Sequence, residues 1–186
     1  MYPPGEDRSI TIETGHLGTM LCGANRPGHF NGVALVVMKL FQIVQADVAV
    51  FGEKDYQQLL LIRHLVKRFN LALEIASHPT VREANGLAIS SRNARLNGAQ
   101  KKEAGFLYQT LLAAGRDLRA GLMHEDIERR ALMRLRERGW RPDYFSIRRA
   151  DNLMEADRSC KGLLIAAAAC LGKVRLIDNL PVSLKP

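Results

Sequence analysis

Residues 47–58 read DVAVFGEKDYQQ, and the rest of the first half is arranged around this run. Its β-branched and apolar beginning predicts an interior strand of a parallel sheet, which ends at the charged GEKD. Apolar residues recur at helical spacing over 33–45 before the strand and over 56–69 after it. A second strand-like run occupies 71–75. Helix, strand, helix and strand in this order predict an open α/β sheet.

The segments on either side of this core have a different character. Near the N-terminus, the alternating residues Ser9–Glu13 predict a short strand, and a glycine-rich loop follows over 23–32. After a polar loop over 82–97, the sequence predicts two helices and then three strands of an antiparallel, α+β arrangement, at 99–120, 125–138, 144–148, 163–169 and 174–177. We therefore predict two domains, residues 1–81 and residues 82–186.

The composition is that of an ordinary globular protein. Hydrophobic residues make up 47% and charged residues 25% of the 186 residues, which excludes a disordered or low-complexity chain. No apolar run is long enough to span a membrane, and the N-terminus lacks the basic and then apolar pattern of a secretion signal. These features predict a soluble, cytoplasmic protein that does not bind a membrane.

Cysteine and histidine give no sign of a metal centre. The three cysteines, Cys22, Cys160 and Cys170, are odd in number and widely spaced, so we expect reduced thiols rather than disulfides or a zinc knuckle. The five histidines show neither HExxH nor paired spacing. The sequence therefore predicts no metal ligands.

The net charge of +8 is concentrated in the second half. Residues 1–81 hold 7 basic and 7 acidic side chains, whereas residues 82–186 hold 20 and 12. A basic half is compatible with nucleic acid, with an anionic small substrate such as a nucleotide, or with an arginine-rich solvated surface. The arginines between Arg129 and Arg141 lie on a predicted amphipathic helix without interleaved aromatic residues, which favours the solvated surface.

Lys54 is the first candidate site residue. Ligands of open α/β sheets bind beyond the carboxyl ends of the strands, where the next helix offers free N–H groups. Lys54 follows a predicted strand and could meet a phosphate there, Gly52 would allow close backbone approach, and Gln57 or Gln58 could serve a polar substrate. Alternatively, Lys54 is solvated and Asp55 merely caps the helix.

A second candidate is the loop of residues 82–93, which reads REANGLAISSRN. Ser90, Ser91 and Arg92 place two hydroxyls beside a guanidinium, a compact set of donors for phosphate oxygens. Gly86 would let such a loop move as a lid. The alternative is an interdomain linker with ordinary Ser and Asn capping residues.

His29 is a third candidate, in the run RPGHF at 26–30. A histidine in a loop can act as a general acid or base or bind a phosphate. The pattern alone favours the simpler alternative, a loop histidine that is hydrogen-bonded to the backbone.

Taken together, four motifs resemble the pantothenate synthetases, the pantoate–β-alanine ligases. They are RPGHF, FGEKDYQQ, GLAISSRN and RLIDN, at 26–30, 51–58, 86–93 and 175–179. Their order and spacing both agree with that family, and the resemblance extends over essentially the whole chain. It favours a binding site over the simpler interpretation at both Lys54 and the 82–93 loop.

The resemblance implies a fold and a reaction. The family combines a Rossmann-like domain with a smaller C-terminal α+β domain, and its members are usually dimers. It uses ATP and Mg²⁺ to join pantoate to AMP, with release of pyrophosphate, and the β-alanine amine then displaces AMP. Residues 1–81 would be the later part of the Rossmann-like domain, and residues 82–186 the C-terminal domain.

The resemblance also implies roles for individual residues. Lys54 would meet the ATP phosphates, and Ser90, Ser91 and Arg92 would form a mobile phosphate-binding loop. Gly52, Asp55 and Val81 would line the nucleotide site, and Gln58 would hold pantoate. Attack of one anion on another requires neutralised phosphate charge and reactants held in line, which suits Lys54 and Arg92.

Two departures from the family pattern stand out. The histidine loop (HxGH-like) that stabilises the adenylation transition state precedes these motifs in the family and is not in this sequence, so we expect little or no ligase turnover from this chain alone. Asn85 stands where the family usually has Asp. A non-catalytic nucleotide-binding or dimerisation fragment is the alternative function, and an RNA-binding module rests on the +8 charge alone.

Overall fold

The computed structural model describes residues 9–157 and 159–184. The chain divides into two compact units, the first ending at His78 and the second beginning at Pro79. The helices are α1 (Gly15–Thr19), α2 (His29–Val44), α3 (Tyr56–Arg68), α4 (Gly98–Ala104), α5 (Phe106–Arg119) and α6 (His124–Glu137). The strands are β1 (Val48–Gly52), β2 (Glu74–His78), β3 (Trp140–Arg149), β4 (Gly162–Leu171) and β5 (Val174–Ser183).

The first unit is built around a parallel pair of strands, as the sequence predicts. β1 pairs with β2 in a register that runs from Val48 opposite Glu74 to Gly52 opposite His78. Helix α3 connects the two strands and buries one apolar face, which includes Leu59, Ile62 and Leu65. Because the strands are parallel, both carboxyl ends lie at the same edge of the sheet.

Two expectations for the strands of the first unit are wrong. Residues 9–14 form no strand, because no neighbouring strand pairs with them and Ile10 is exposed, so the alternating pattern has no face to bury. The second strand begins at Glu74 rather than at Leu71, because its register is set by pairing with β1 and by the bond from Glu74 N to Asp47 O.

The second unit is a three-stranded antiparallel sheet in the order β3-β4-β5, covered by helices α5 and α6. Central strand β4 is buried along its length beyond Gly162, and its side chains join those of α5 and α6 in one apolar cluster. The predicted α+β arrangement is confirmed. The long helix expected at 99–120 is instead interrupted at Gly105, where an added Cβ would lie 2.3 Å from the carbonyl oxygen of Asn85.

In the part of the chain that the structure describes, no helix combines the length and apolar character needed to cross a bilayer.

Candidate functional site

Lys54 lies where the sequence places it, at the carboxyl end of β1. Residues Glu53–Asp55 form a single 3-10 turn between β1 and α3, so the lysine immediately precedes the first turn of that helix. Its Nζ lies 3.9 Å from Oδ1 of Asp55, and the Lys54 side chain is only 17% exposed. The turn thus presents one ammonium group beside one carboxylate at the sheet edge.

Gly52 leaves open space at this edge. A Cβ added there would meet no protein atom within 4 Å, and the backbone φ of −75° is one that any residue adopts. Neither packing nor conformation of the described residues therefore requires a glycine at this position. Gln58 is half-buried on the first turn of α3 and is near enough in sequence to share this edge.

Gln57, the other glutamine considered from the sequence, is engaged in holding the fold together. Its Nε2 donates to the carbonyl oxygens of Leu17 (2.7 Å) and Met20 (2.8 Å), and its Oε1 accepts from Cys22 N (3.2 Å). Both of its amide hydrogens are used in this way. Of the two glutamines, Gln58 is therefore the one left to serve a substrate.

His29 is the first residue of helix α2 rather than part of a long loop. Its Nε2 lies 2.8 Å from Nη1 of Arg26, and its ring lies 5.1 Å from that of Phe30. Because an arginine can only donate, the imidazole accepts at Nε2 in this arrangement. RPGHF is thus a compact turn with a basic surface at the start of α2.

In the second unit, residues 81–89 form a small antiparallel loop. Arg82 and Ala88 make an isolated bridge, Ile89 N donates to Val81 O (2.9 Å), and Glu83 N donates to Leu87 O (2.8 Å). Leu87 and Ala88 are buried, whereas Val81 is exposed. The loop is therefore anchored in the core through Leu87 and Ala88, and it is exposed to solvent at Val81.

Residues Ser90, Ser91 and Arg92, which we call the tip, follow this loop directly. The Ser90 Oγ accepts from Arg92 N (3.1 Å) and so caps the 3-10 helix Ser91–Arg95, on which Ser91 and Arg92 lie. Across residues 9–157 and 159–184, the Ser91 hydroxyl and the Arg92 guanidinium have no hydrogen-bond or ion-pair partner. The tip thus offers a hydroxyl and a cation that the described fold does not use.

Asn93, the residue directly after the tip, is bonded to the loop that precedes the tip. The side chain is buried, and Nδ2 donates to the carbonyl of Ala88 (3.0 Å) while Oδ1 has no hydrogen-bond partner among the described residues. This amide ties the residue that follows the tip to the loop that precedes it.

Sequence reasoning assigned no role to the cluster beneath the loop. The Arg82 guanidinium bonds both carboxylate oxygens of Asp178, at 2.6 and 2.9 Å, and also donates to Gly86 O at 3.0 Å. It lies 3.5 Å from the centre of the Tyr108 ring. Asp178 belongs to the RLIDN motif, so its presence in a motif was the available signal, but its partner 96 residues away could not be found from one sequence.

Two arginines of the basic stretch, Arg129 on α6 and Arg138 directly after it, pair with neighbouring carboxylates. Arg129 pairs with Asp126, Arg138 pairs with Glu103, and the Arg138 guanidinium lies 4.4 Å from the centre of the Phe106 ring. These contacts fit the solvated-surface interpretation of the basic half.

The chain offers single carboxylates rather than a cage for a metal ion. Among the described residues, no group of three or more His, Cys, Asp and Glu side chains could hold one. Mg²⁺ is commonly bound through one or two carboxylates, waters and substrate phosphates. Asp55, whose side chain is half exposed, is a single carboxylate of this kind.

Comparison with known proteins gives one consistent family. The Pantoate-beta-alanine ligase family model matches residues 1–181. The pantothenate synthetase of Shewanella loihica is 48% identical over 180 residues, which are 97% of this chain and 64% of that protein. The pantothenate synthetase of Alkalilimnicola ehrlichii is 47% identical over 185 residues, 99% of this chain and 65% of that protein.

Solved structures agree. The pantothenate synthetase of Thermus thermophilus superposes with a TM-score of 0.89 at 41% identity, covering 97% of this chain and 65% of that one. A pantoate-beta-alanine ligase from Francisella tularensis, complexed with beta-gamma ATP and beta-alanine, has a TM-score of 0.72 at 32% identity, covering 92% and 57%. The chain thus spans 64–65% of the length of the curated relatives it matches. Because the family model matches nearly all of its residues, the chain belongs to the pantoate-beta-alanine ligase family.

Proposed function

We propose that this chain forms the nucleotide-phosphate and pantoate-binding part of an ATP-dependent ligase that condenses pantoate with β-alanine. In the first step, a pantoate carboxylate oxygen attacks the α-phosphorus of ATP, the α–β phosphoanhydride bond breaks, and pyrophosphate leaves. In the second step, the β-alanine amine attacks the acyl carbon of the pantoyl adenylate. The bond between that carbon and the oxygen bridging to phosphorus breaks, AMP leaves with the bridging oxygen, and the nitrogen loses a proton. Pantothenate is the product.

In the first unit, Lys54 supplies positive charge to the ATP phosphates. Adenylation brings a carboxylate toward a polyphosphate, and a fixed ammonium lowers the repulsion between them. Gly52 lets the nucleotide approach the backbone closely, which fits the open space beside it. Asp55 lines the nucleotide site, and Gln58 bonds pantoate.

In the second unit, the tip binds phosphate oxygens. Ser90 and Ser91 contribute hydroxyls and Arg92 contributes charge-assisted donors, while Val81 lines the nucleotide site. The observation that carries the proposal is the tip itself, since the Ser91 hydroxyl and the Arg92 guanidinium have no partner within the described residues. An anion site requires hydrogen-bond donors that the fold leaves unused and that lie on a fixed segment of backbone. The Asn93 bond to Ala88 O fixes the segment that carries the tip.

The remaining partners belong to the same proposal. Mg²⁺ enters on the nucleotide phosphates, the small-molecule substrates are ATP, pantoate and β-alanine, and the protein works as a homodimer in the cytoplasm without nucleic acid or membrane. We expect this chain on its own to turn over little or no substrate, because its sequence does not contain the histidine loop (HxGH-like) that the resemblance implies for the adenylation step. The alternative function is a nucleotide-binding or dimerisation fragment without catalysis.

The first experiment looks for product. The 186-residue chain, with its intact mass verified, is incubated with ATP, Mg²⁺, pantoate and β-alanine, and pantothenate and AMP are measured by mass spectrometry. We expect little or no product, and product once the part of a curated relative that this chain does not match is added as a separate chain. Normal turnover without that addition would contradict the expected inactivity, and no turnover with it would favour the non-catalytic fragment.

Calorimetry with MgATP tests the site directly. Lys54→Ala is expected to abolish measurable binding, whereas Lys67→Ala is the matched control, because Lys67 is an exposed lysine in the last turn of α3. Equal loss in both variants would contradict a specific role for Lys54. An RNA-binding module would instead show steeply salt-dependent RNA affinity that survives Ser91→Ala.

A further inference from the structure

We propose that Arg82 is a positioning residue for the tip, and that it acts through Asp178 and Tyr108 without itself touching the nucleotide. This inference rests on the proposed function, because it assumes that Ser90, Ser91 and Arg92 bind phosphate.

Arg82 is fixed from three directions. Its two terminal nitrogens bond both oxygens of Asp178, Nη1 also reaches Gly86 O, and the guanidinium plane faces the Tyr108 ring. The Arg82 side chain is 17% exposed and that of Asp178 is 3% exposed. A bidentate pair at this depth has one geometry, and solvent screens it little.

The Asp178 end is fixed as well. Asp178 lies on β5, the edge strand of the antiparallel sheet, and its Oδ1 also accepts from Asn179 N at 2.8 Å. Tyr108 lies on α5, which packs against β5. Arg82 therefore joins the loop to two elements of the core.

Hydrogen bonds connect Arg82 to the tip. Arg82 lies opposite Ala88 in an antiparallel bridge, which is made by the backbone bonds of the residues on either side. The Ala88 carbonyl in turn accepts from Asn93 Nδ2. Ala88 is two residues before Ser90, and Asn93 directly follows Arg92. The tip is therefore held on both sides by groups that lead back to Arg82.

Only an arginine meets these requirements. A lysine in place of Arg82 keeps the charge and can still reach Asp178, but it presents one nitrogen where the guanidinium presents two, and it has no plane to lie on Tyr108. Arg82→Lys should therefore keep the ion pair with Asp178 but leave the tip less firmly held in one position. Loss of preorganisation lowers ligand affinity without removing any ligand contact.

The test compares Arg82→Lys with Arg138→Lys in this chain, using MgATP in calorimetry. Arg138 is the matched control, because it makes a similar two-point pair with Glu103 and faces the Phe106 ring, yet within the described residues its guanidinium makes no bond to 81–93. We expect Arg82→Lys to weaken MgATP binding about tenfold, as loss of a residue that orients a ligand group commonly does, and Arg138→Lys to leave it unchanged.

A double-mutant cycle separates positioning from a general loss of stability. If Arg82 acts through the tip, Arg92→Ala should cost clearly less affinity in the Arg82→Lys background than in the parent chain. Additive losses would overturn the inference. Should Arg82→Lys fail to fold, Tyr108→Leu keeps the Asp178 pair and removes the ring, with an expected loss of about threefold.

The outcomes also separate this inference from the proposed function. If the parent binds MgATP, Arg92→Ala weakens it, and folded Arg82→Lys or Tyr108→Leu binds like the parent, the positioning role is wrong and the proposed function stands. If the parent does not bind MgATP, or Arg92→Ala binds as well as the parent, the phosphate-binding tip is wrong and the positioning role falls with it.

Discussion

Gln57 Nε2 donates to the carbonyl of Leu17 at 2.7 Å, across 40 residues of sequence. The same amide group bonds the backbone of Met20 and Cys22, so one buried side chain on α3 satisfies three backbone groups of the segment that begins at α1. A buried polar side chain with this many partners specifies one arrangement of its neighbours. The segment before α2 is therefore held by α3.

Gln57→Glu should destabilise the first unit by about 2–4 kcal/mol. The carboxylate cannot donate, so two carbonyls lose their partner and a charge is buried. Hydrogen-exchange mass spectrometry should show faster exchange over residues 15–23. Gln58→Glu is the control, because Gln58 is half-buried and makes no such bonds among the described residues. Equal exchange in the two variants would contradict the role of Gln57.

Gly86→Ala should destabilise the second unit by about 2 kcal/mol. Gly86 has a φ of +92°, and an added Cβ would lie 2.9 Å from Cδ1 of Tyr108. Urea unfolding followed by the fluorescence of Trp140, the single tryptophan, reports on this unit. Gly98→Ala is the control. Gly98 is the first residue of α4, and an added Cβ there meets no atom within 4 Å, so this variant should be as stable as the parent or slightly more stable. A smaller effect at Gly86 than at Gly98 would refute the argument.

Asn85→Asp should cost about 0.5–1.5 kcal/mol. Asn85 Oδ1 accepts from Leu87 N (3.1 Å), and Nδ2 donates to Lys101 O (2.8 Å). An aspartate would keep the first bond and lose the second. Asn85→Ala loses both and should therefore be less stable than Asn85→Asp in the same Trp140 assay. The opposite order would show that the Leu87 bond contributes nothing, and an Asn85→Asp variant as stable as the parent would show the same of the Lys101 bond.

Acid should open the turn at Asp157. The Ser159 hydroxyl and backbone N–H both donate to the Asp157 carboxylate, and these bonds hold its pKa below the ordinary value of 3.8. A depressed carboxyl pKa means that the stabilisation is complete above the unfolded value and is lost as pH falls through the folded one. The Ser159 amide shift, followed by NMR, should therefore titrate with a midpoint below 3.8, and Asp157→Asn should abolish the titration. A midpoint above 3.8 would be inconsistent with these bonds.

Elements with a continuous apolar face could be predicted from the sequence. Helices α2, α3 and α6 and strands β1 and β4 lie within a few residues of their expected positions, because apolar runs mark these elements in the sequence. Strand β1, expected as an interior strand, has alternate residues exposed, because among the described residues it pairs only with β2. The predicted strand at Ser9–Glu13 is wrong, because an alternating pattern does not by itself provide a neighbouring strand to pair with. The break at Gly105 was missed because it depends on the Asn85 carbonyl, which is remote in sequence.

Some residues of the candidate site could be predicted from local sequence, and others depend on contacts with residues remote in sequence. Lys54 could be placed from local pattern, because a strand followed by a helix fixes where the intervening turn lies. Gln57 and Gln58 could not be told apart, because the difference lies in backbone groups near Leu17. The Arg82–Asp178 pair joins opposite ends of the second unit, and no local pattern contains such a pairing.

In the part of the chain that the structure describes, the sheet of the first unit has two strands, and the Val50 side chain on β1 is 66% exposed. So small a sheet opens readily, because few contacts must break. Association of opened chains is second order, so we expect its rate to rise with the square of the concentration. Binding measurements on this chain should therefore be compared between samples of equal age and concentration.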